Sequence, residues 1–477
     1  MNWAENEFEK VDLGDKRLNQ RLIKLCDSFS QAPESPINQA CQDWNETKSA
    51  YRFFQNDNVD AGQIMAAHRE KTALRAANHK TILAIQDTSY FIYTNHPKTK
   101  GLGEISMKKA KNRETIYSRG LVMHTCFAIT TQGTPLGLLD QKIFARESRP
   151  DHERRCKGGN QDRIAVEQKE SYRWIETLEA SSKIAGESRI VTVCDRECDF
   201  YDFFKAANKN GSTVLVRAAQ NRIINRKSRY SEKEIEKLWD LLASKTVIGS
   251  YDVEVSAVAK SKHCKERTAR TAHMEIKYVD FKMNPPRNHP KHKLEVLSDL
   301  HLYGVHALEK NPPDGEEPVE WMLLTNQPVG NLDEAIEQVR WYALRWRIEM
   351  FFKVLKSGFR VEACRLGTAD RLIRYLMLMS IIAWRLFMIT LMARTDPCES
   401  CSGFLSKPEW TVLTIKASRS TAPPTVAPTI ADAIVLIAKL GGYLARKSDG
   451  PPGTLALWRG FKRLTDLTEG WSMANQL

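Results

Sequence analysis

Hydrophobic and polar positions change period several times along this chain of 477 residues. Up to about residue 62 the spacing is helical. Leu18, Leu22 and Leu25 form an apolar stripe beside Lys16, Arg17, Arg21 and Lys24. A second helical run covers 45–54, and a third starts at Ala61 after the polar turn at Asn56, Asp57 and Asn58. From about residue 80 short apolar runs take over. Residues 81–85 predict a buried strand that ends at Gln86, Asp87 and Thr88. Residues 121–130 and 136–144 flank a turn at 131–135 and predict a hairpin. Residues 161–181 read as helix, 189–194 as a strand ending at Asp195, 199–208 as helix and 213–216 as a strand.

The order β-β-β-α-β-α-β, followed by a helix, is the ribonuclease H-like arrangement. Its parallel strands, joined by helices, put their carboxyl ends at the functional edge of the sheet. Between 218 and about 330 lies material this core does not need. It alternates at 251–259 and 272–280, and it is basic, with Arg222, Arg226, Lys227, Arg229, Lys260, Lys262, Lys265, Arg267 and Arg270. That pattern predicts a β-rich insertion with basic loops. Residues 321–325 return as a strand, and Leu332 opens the approach to a helix at 342–356. The longest apolar run, 375–393, carries Arg385 in its middle and so predicts a buried helix, not a membrane span. After 395 the chain is loop-rich, punctuated by Pro408, Pro423, Pro424 and Pro428, with helices expected at 430–444 and 455–471. The expected fold is α/β. A small helical N-terminal domain covers 1–62, a ribonuclease H-like domain 63–395 contains the insertion at about 218–330, and a helical C-terminal domain covers 396–477.

Composition narrows the partners. Lys plus Arg is 71 against 58 Asp plus Glu, a formal charge of +13, with a sequence pI near 9.2. Such a balance favours a polyanion, either nucleic acid or an anionic membrane surface. The first residues are acidic and lack an apolar core, so no secretory signal is visible. Ten scattered cysteines suit reduced thiols in a cytosol. Cys398 and Cys401 form a lone CxxC without a second pair, and zinc or redox work is not expected there.

Residues 342–356 concentrate the candidate chemistry. On one helix, Tyr342, Arg345, Glu349, Lys353 and Lys356 fall within about 80° of arc at 100° per residue. Leu344, Ile348, Phe351 and Leu355 lie opposite, and Trp346 reads as core packing. Spacing alone fits two readings. One is a solvated helix with Arg345–Glu349 and Glu349–Lys353 pairs; the other is a metal-holding carboxylate among cations that grip a polyanion. Asp87 and Asp195, at strand ends, fit turn formers or helix caps equally well. His124 falls on a strand facing either the functional edge or the core.

The local words discriminate. Tyr342, Arg345, Glu349 and Lys356, in a Y-x2-R-x3-E-x6-K pattern, resemble the signature helix of bacterial cut-and-paste DDE transposases of the insertion-sequence-four family. RWRIE around Glu349, with Lys353 and Arg365, fits as well. ILAIQDT resembles the family's first-aspartate strand and VTVCDRECD its second. LGDxR with Arg21, together with AYRF, resembles its N-terminal DNA-binding domain; the segments at 440–443 and 455–471 resemble its C-terminal dimerisation domain.

The resemblance implies a DNA transposase that binds element-end inverted repeats as a homodimer in a synaptic complex. It would cleave phosphodiesters through a hairpin intermediate and join 3′ ends to double-stranded target DNA. Asp87, Asp195 and Glu349 are then the catalytic metal ligands for Mg2+, with Mn2+ as a substitute. Two such ions about 4 Å apart activate the nucleophile and stabilise the leaving oxygen. Tyr342, Arg345, Lys353, Lys356 and Arg365 would hold the end backbone, and Arg17 and Arg21 would contact DNA from the N-terminal helices. Trp321, otherwise a core aromatic on a strand, would accept a flipped base. The enzyme would work at the bacterial nucleoid in the cytoplasm, without a membrane. Two further readings compete: a structure-directed nuclease lacking strand transfer, and a non-catalytic DNA-binding inhibitor. The last predicts a broken triad, whereas all three acids are present.

Overall fold

The computed structural model describes residues 3–41, 43–109, 115–147, 165–184, 186, 188–226, 235–255, 267–286, 289, 296–418, 422–446 and 449–475. Lys227, Arg229, Lys260, Lys262 and Lys265 lie outside the described residues, as does the start of the helix expected at 161–181. In chain order the strands are β1 (Thr81–Ile92), β2 (Gly103–Lys109), β3 (Thr115–Thr130), β4 (Pro135–Phe144), β5 (Arg189–Cys194) and β6 (Thr213–Arg217). They continue with β7 (Ile223–Arg226), β8 (Ile235–Lys237), β9 (Gly249–Val255), β10 (Arg270–Met283), β11 (Leu300–Glu309) and β12 (Glu320–Thr325). The chain divides into two compact units, each assembled from separate stretches. One is Lys80–Asp87 with Arg149–Trp346, and the other is Met1–His79, Thr88–Ser148 and Arg347–Leu477.

The first unit is a mixed sheet. The start of β1 pairs in parallel with β5, Ile85 beside Val193, and β5 pairs in parallel with β6, Cys194 beside Val216. These short runs are almost wholly apolar because both faces are covered. The helices Tyr172–Ser182 and Tyr201–Lys209 connect them. Trp174, Leu178, Phe203 and Phe204 from those helices share one buried cluster with Cys194, Val214 and Val216. Each such aromatic or branched side chain contributes roughly 1.5–3 kcal/mol by leaving water.

The segment expected as a separate insertion extends the same sheet. β12 pairs antiparallel with β6, then β11, β10 and β9 follow in order. Among the described residues, β7 and β8 form a small sheet of their own. Two of the basic residues expected in its loops are committed to structure. Arg222 pairs with the buried Asp199, and Arg270 forks onto Glu309 at 2.7 and 2.9 Å. Asp199 itself accepts the Ala219 N–H at 2.6 Å, and the helix expected from 199 starts at Tyr201, after Phe200 in extended backbone.

The helix Leu332–Ala343 crosses this sheet. Gly249, Ile276, Ala307 and Trp321 are paired in one row across β9, β10, β11 and β12. Leu332 sits against Gly249, where a Cβ would meet its side chain at 2.4 Å. Tyr342 meets Trp321 at the other end. Eleven residues at 1.5 Å each and four strands about 4.8 Å apart both span roughly 15 Å, so the helix covers the row end to end. Asn331 caps it through the Glu334 N–H at 2.9 Å, and Glu334 returns a bond to the Gly330 N–H at 2.7 Å.

The second unit holds the hairpin of β3 and β4, paired from Val122 and Phe144 towards the turn, with β2 pairing the first part of β3. The strand β2 was not expected, and neither was the helix Lys407–Ser418. The helix Ala369–Thr395 is long and apolar enough to cross a membrane, but 72% of its apolar window is buried. Its Arg385 guanidinium stacks over Trp3 at 4.4 Å, and Arg374 donates to the Phe54 and Val59 carbonyls at 2.9 and 2.7 Å. The C-terminal helices Ile430–Leu440 and Thr454–Ala474 share a cluster built on Leu413, Ile434, Ile437, Leu457 and Leu464.

Candidate functional site

Strand register gathers the polar residues of the first unit. Asp87 stands two residues beyond Ile85, and Asp195 two beyond Val193, its partner. Arg217 follows Val216, the partner of Cys194, and so lies level with Asp195. Side chains two apart along a strand share a face. Asp87, Asp195 and Arg217 therefore occupy one row on one face, and Cys194 turns into the core behind them. Burial pushes the Cys194 thiol up, and Asp195, Asp87 and Arg345 all lie near enough to act on it. Asp195, in extended backbone, accepts the Glu197 N–H at 2.8 Å and caps the short turn after β5. The strand expected to end at Asp87 continues to Ile92; Asp87 marks where β1 leaves its pairing with β5.

The single helix expected at 342–356 is three pieces. Leu332–Ala343 ends in a tight turn at Leu344 and Arg345, where the Arg345 N–H bonds the Tyr342 carbonyl at 3.0 Å. A second helix runs Trp346–Lys353, and a π turn follows at Val354–Gly358, closed by the Phe359 N–H on the Val354 carbonyl at 2.8 Å. No proline or glycine marks the first break. Tertiary contacts impose it: Tyr342 is buried rather than on a polar face, and Arg345 reaches Asp87, Nη1 to Oδ2 at 2.9 Å. Trp346, expected in the core, is 54% exposed.

Tyr342 is the hub of this corner. Its ring meets Trp321 edge to face, centroids 5.3 Å apart. Burial raises its phenol pKa, opposed by the nearby guanidinium groups of Arg345 and Arg217. Arg217 also donates to the Glu320 carbonyl at 2.9 Å, next to Trp321. Sequence reasoning missed Arg217. Its one signal is a cation closing the apolar strand parallel to the one that ends at Asp195.

The remaining candidates belong to the second unit. Glu349 is half-buried on the helix Trp346–Lys353, and Lys353 is exposed at its end. The π turn carries Lys356 onto the Phe91 ring, 5.2 Å from its centroid, where burial lowers its ammonium pKa. Arg365 is exposed. Arg17 is exposed and Arg21 half-buried on the helix Lys16–Gln31, which Asp15 caps. His124 is buried and bonds the Thr88 hydroxyl through Nδ1 at 2.9 Å.

Among the described residues, no three His, Cys, Asp or Glu side chains are grouped to hold a metal ion. The donor chemistry nevertheless fits one. Asp87 and Asp195 are hard oxygen donors on one face, of the kind a hard divalent cation takes. The arrangement pairs anionic oxygens with Arg217 and Arg345, groups suited to a phosphodiester.

Comparison with known protein families gives three matches in chain order. Residues 1–59 match a transposase DNA-binding domain, 169–386 a transposase DDE domain and 381–476 a Tn5 transposase dimerisation domain. The DDE match contains Asp195, Trp321, Tyr342, Arg345 and Glu349, and Asp87 precedes it. DDE transposase domains generally use divalent metal ions. The protein is thus an enzyme of the DDE transposase class, with DNA-binding and dimerisation domains of the Tn5 type.

Proposed function

We propose that this enzyme carries out cut-and-paste transposition within the insertion-sequence-four family. It binds the inverted repeats at its element's ends as a dimer, excises the element through hairpin ends and joins the 3′ ends to target DNA. The row of Asp87, Asp195 and Arg217, closed by Arg345 and the Trp321–Tyr342 pair, carries this reading. The parallel trio β1, β5 and β6 with its connecting helices supports a ribonuclease H-like core.

Asp87, Asp195 and Glu349 would hold divalent ions, Mg2+ with Mn2+ as a substitute; when bound, these neutralise the phosphodiester and activate water or a 3′-hydroxyl. The protein's own part is positioning. Tyr342, Arg345, Lys353, Lys356 and Arg365 grip the end backbone, Arg217 joins them through Tyr342, and Trp321 receives an extruded base. Residues 1–62, with Arg17 and Arg21, recognise the end, residues 63–395 form the catalytic domain, and 396–477 dimerise.

Strand transfer separates this reading from a nuclease. A pre-cut element end incubated with the enzyme, Mg2+ and supercoiled plasmid should become joined to the plasmid through its 3′ strand. Hydrolysis of intact ends without any joined product would make the protein a nuclease.

A further inference from the structure

We propose that Arg345 makes metal loading conditional on DNA. In the DNA-free protein its guanidinium holds Asp87, and a DNA phosphate takes the guanidinium over and releases the carboxylate to a divalent cation. The inference rests on the proposed roles of Asp87 as a ligand and Arg345 as a phosphate contact.

Three observations carry it. Arg345 Nη1 lies 2.9 Å from Asp87 Oδ2, with the two side chains only 13% and 14% exposed. Water screens such a pair poorly, and a cation approaching Asp87 meets a fixed positive charge. Arg345 also sits in the turn between two helices rather than inside either, so its exchange of partners breaks no helical ladder. Its competing partner is built for the exchange. A phosphate offers the guanidinium two oxygens in the planar geometry it prefers. Arg217 is the second cation close enough to Tyr342 to act on its phenol, so Arg345 is not the lone positive charge beside that ring.

Coupling of this kind is reciprocal: whatever factor DNA adds to metal affinity, metal adds to DNA affinity. Its consequence is specificity in time. Protein without DNA stays poorly loaded, which limits nicking of whatever duplex it next meets.

The test uses the full-length protein and Mn2+ binding, read by electron paramagnetic resonance of the free ion, with and without a pre-cut end duplex. Binding to the duplex alone is subtracted. Without DNA, Arg345→Gln should bind Mn2+ roughly tenfold more tightly than wild type, the scale of a charged hydrogen bond removed from competition. The duplex should tighten Mn2+ binding to the wild type more than to Arg345→Gln. Lys209→Gln removes an exposed cation at the end of the helix Tyr201–Lys209, outside the site, and should leave DNA-free Mn2+ affinity close to wild type. Asp87→Asn should weaken Mn2+ binding in every state. Should Arg345→Gln fold poorly, the wild type alone keeps the test: the duplex should tighten its Mn2+ binding, and equal Mn2+ affinity with and without duplex overturns the gate. Equal Mn2+ affinity in wild type and Arg345→Gln overturns the gate, as does equal tightening by Lys209→Gln. Wild-type Mn2+ affinity in Asp87→Asn would instead overturn Asp87 as a ligand.

Discussion

Trp321 on β12 and Tyr342 at the end of the crossing helix meet edge to face, centroids 5.3 Å apart with an interplanar angle of 68°. Tyr342 is buried and Trp321 only partly so, which leaves indole surface for a ligand. If Trp321 stacks an extruded base, Trp321→Ala should spare the first nick and slow hairpin formation. Base stacking is worth ~1–3 kcal/mol, so the second step should fall roughly 5- to 150-fold at ~1.4 kcal/mol per decade. Trp321→Phe should recover part of it. A purely structural tryptophan would instead depress both steps and the melting temperature together, so nicked and hairpin products are quantified beside a melting curve.

A second prediction concerns acid stability. Leu138 donates its N–H to His68 Nε2 at 2.9 Å, so the ring proton sits on Nδ1, faces Glu7 at 2.5 Å and leaves His68 neutral. Burial pushes the His68 pKa down. Burial opposes ionisation of Glu7 as well, yet His68 and Arg75 hold its pKa at about 2, from an ordinary 4.5. Both folded values lie below their unfolded ones, so the unfolded chain takes up more protons and stability falls as pH falls. The His68 contribution fades below about pH 6.5. That of Glu7, up to about 3 kcal/mol, is complete above pH 4.5 and lost as pH falls towards 2. Glu7→Gln should melt lower at pH 7 and lose the decline between pH 4.5 and 2. An unchanged acid profile in Glu7→Gln would exclude the pair as its source.

DNA binding by the N-terminal helices should be strongly electrostatic. In the full-length protein, Arg17→Ala should weaken binding to end and unrelated duplex alike. It should also reduce the slope of log affinity against log salt by about 0.9, the value for one lost phosphate contact. A slope equal to wild type, from titrations at several salt concentrations, would remove Arg17 from the interface.

These residues also mark what the sequence made legible. Strand β5 lies where its apolar run predicts, because a short doubly buried strand declares itself by composition. The hairpin of β3 and β4 declares itself through its turn. The break at Leu344 and Arg345 left no trace: local propensity there is helical, and the contacts that bend the chain come from Asp87 and Trp321, far away in sequence. Trp346, expected in the core, is exposed just after that break. β11 also went unseen; its alternation is interrupted at Gly304 and Val305, which are both buried. Arg217 was invisible because its importance lies in register with Asp195, which pairing sets and spacing does not. The two compact units, each interleaved along the chain, are likewise a product of long-range pairing.

On the proposed function, Asp87, Asp195 and Glu349 are each ligands needed for metal-dependent phosphodiester cleavage. The most direct measurement compares wild type with Asp87→Ala, Asp195→Ala and Glu349→Ala on a labelled element-end duplex in Mg2+. Cleavage is resolved on a denaturing gel, and end binding is measured on the same preparations. Each variant should bind the end with near wild-type affinity and yield no cleaved strand, because losing a ligand disturbs metal geometry and not the phosphate grip. Wild-type cleavage by any one variant would contradict the account.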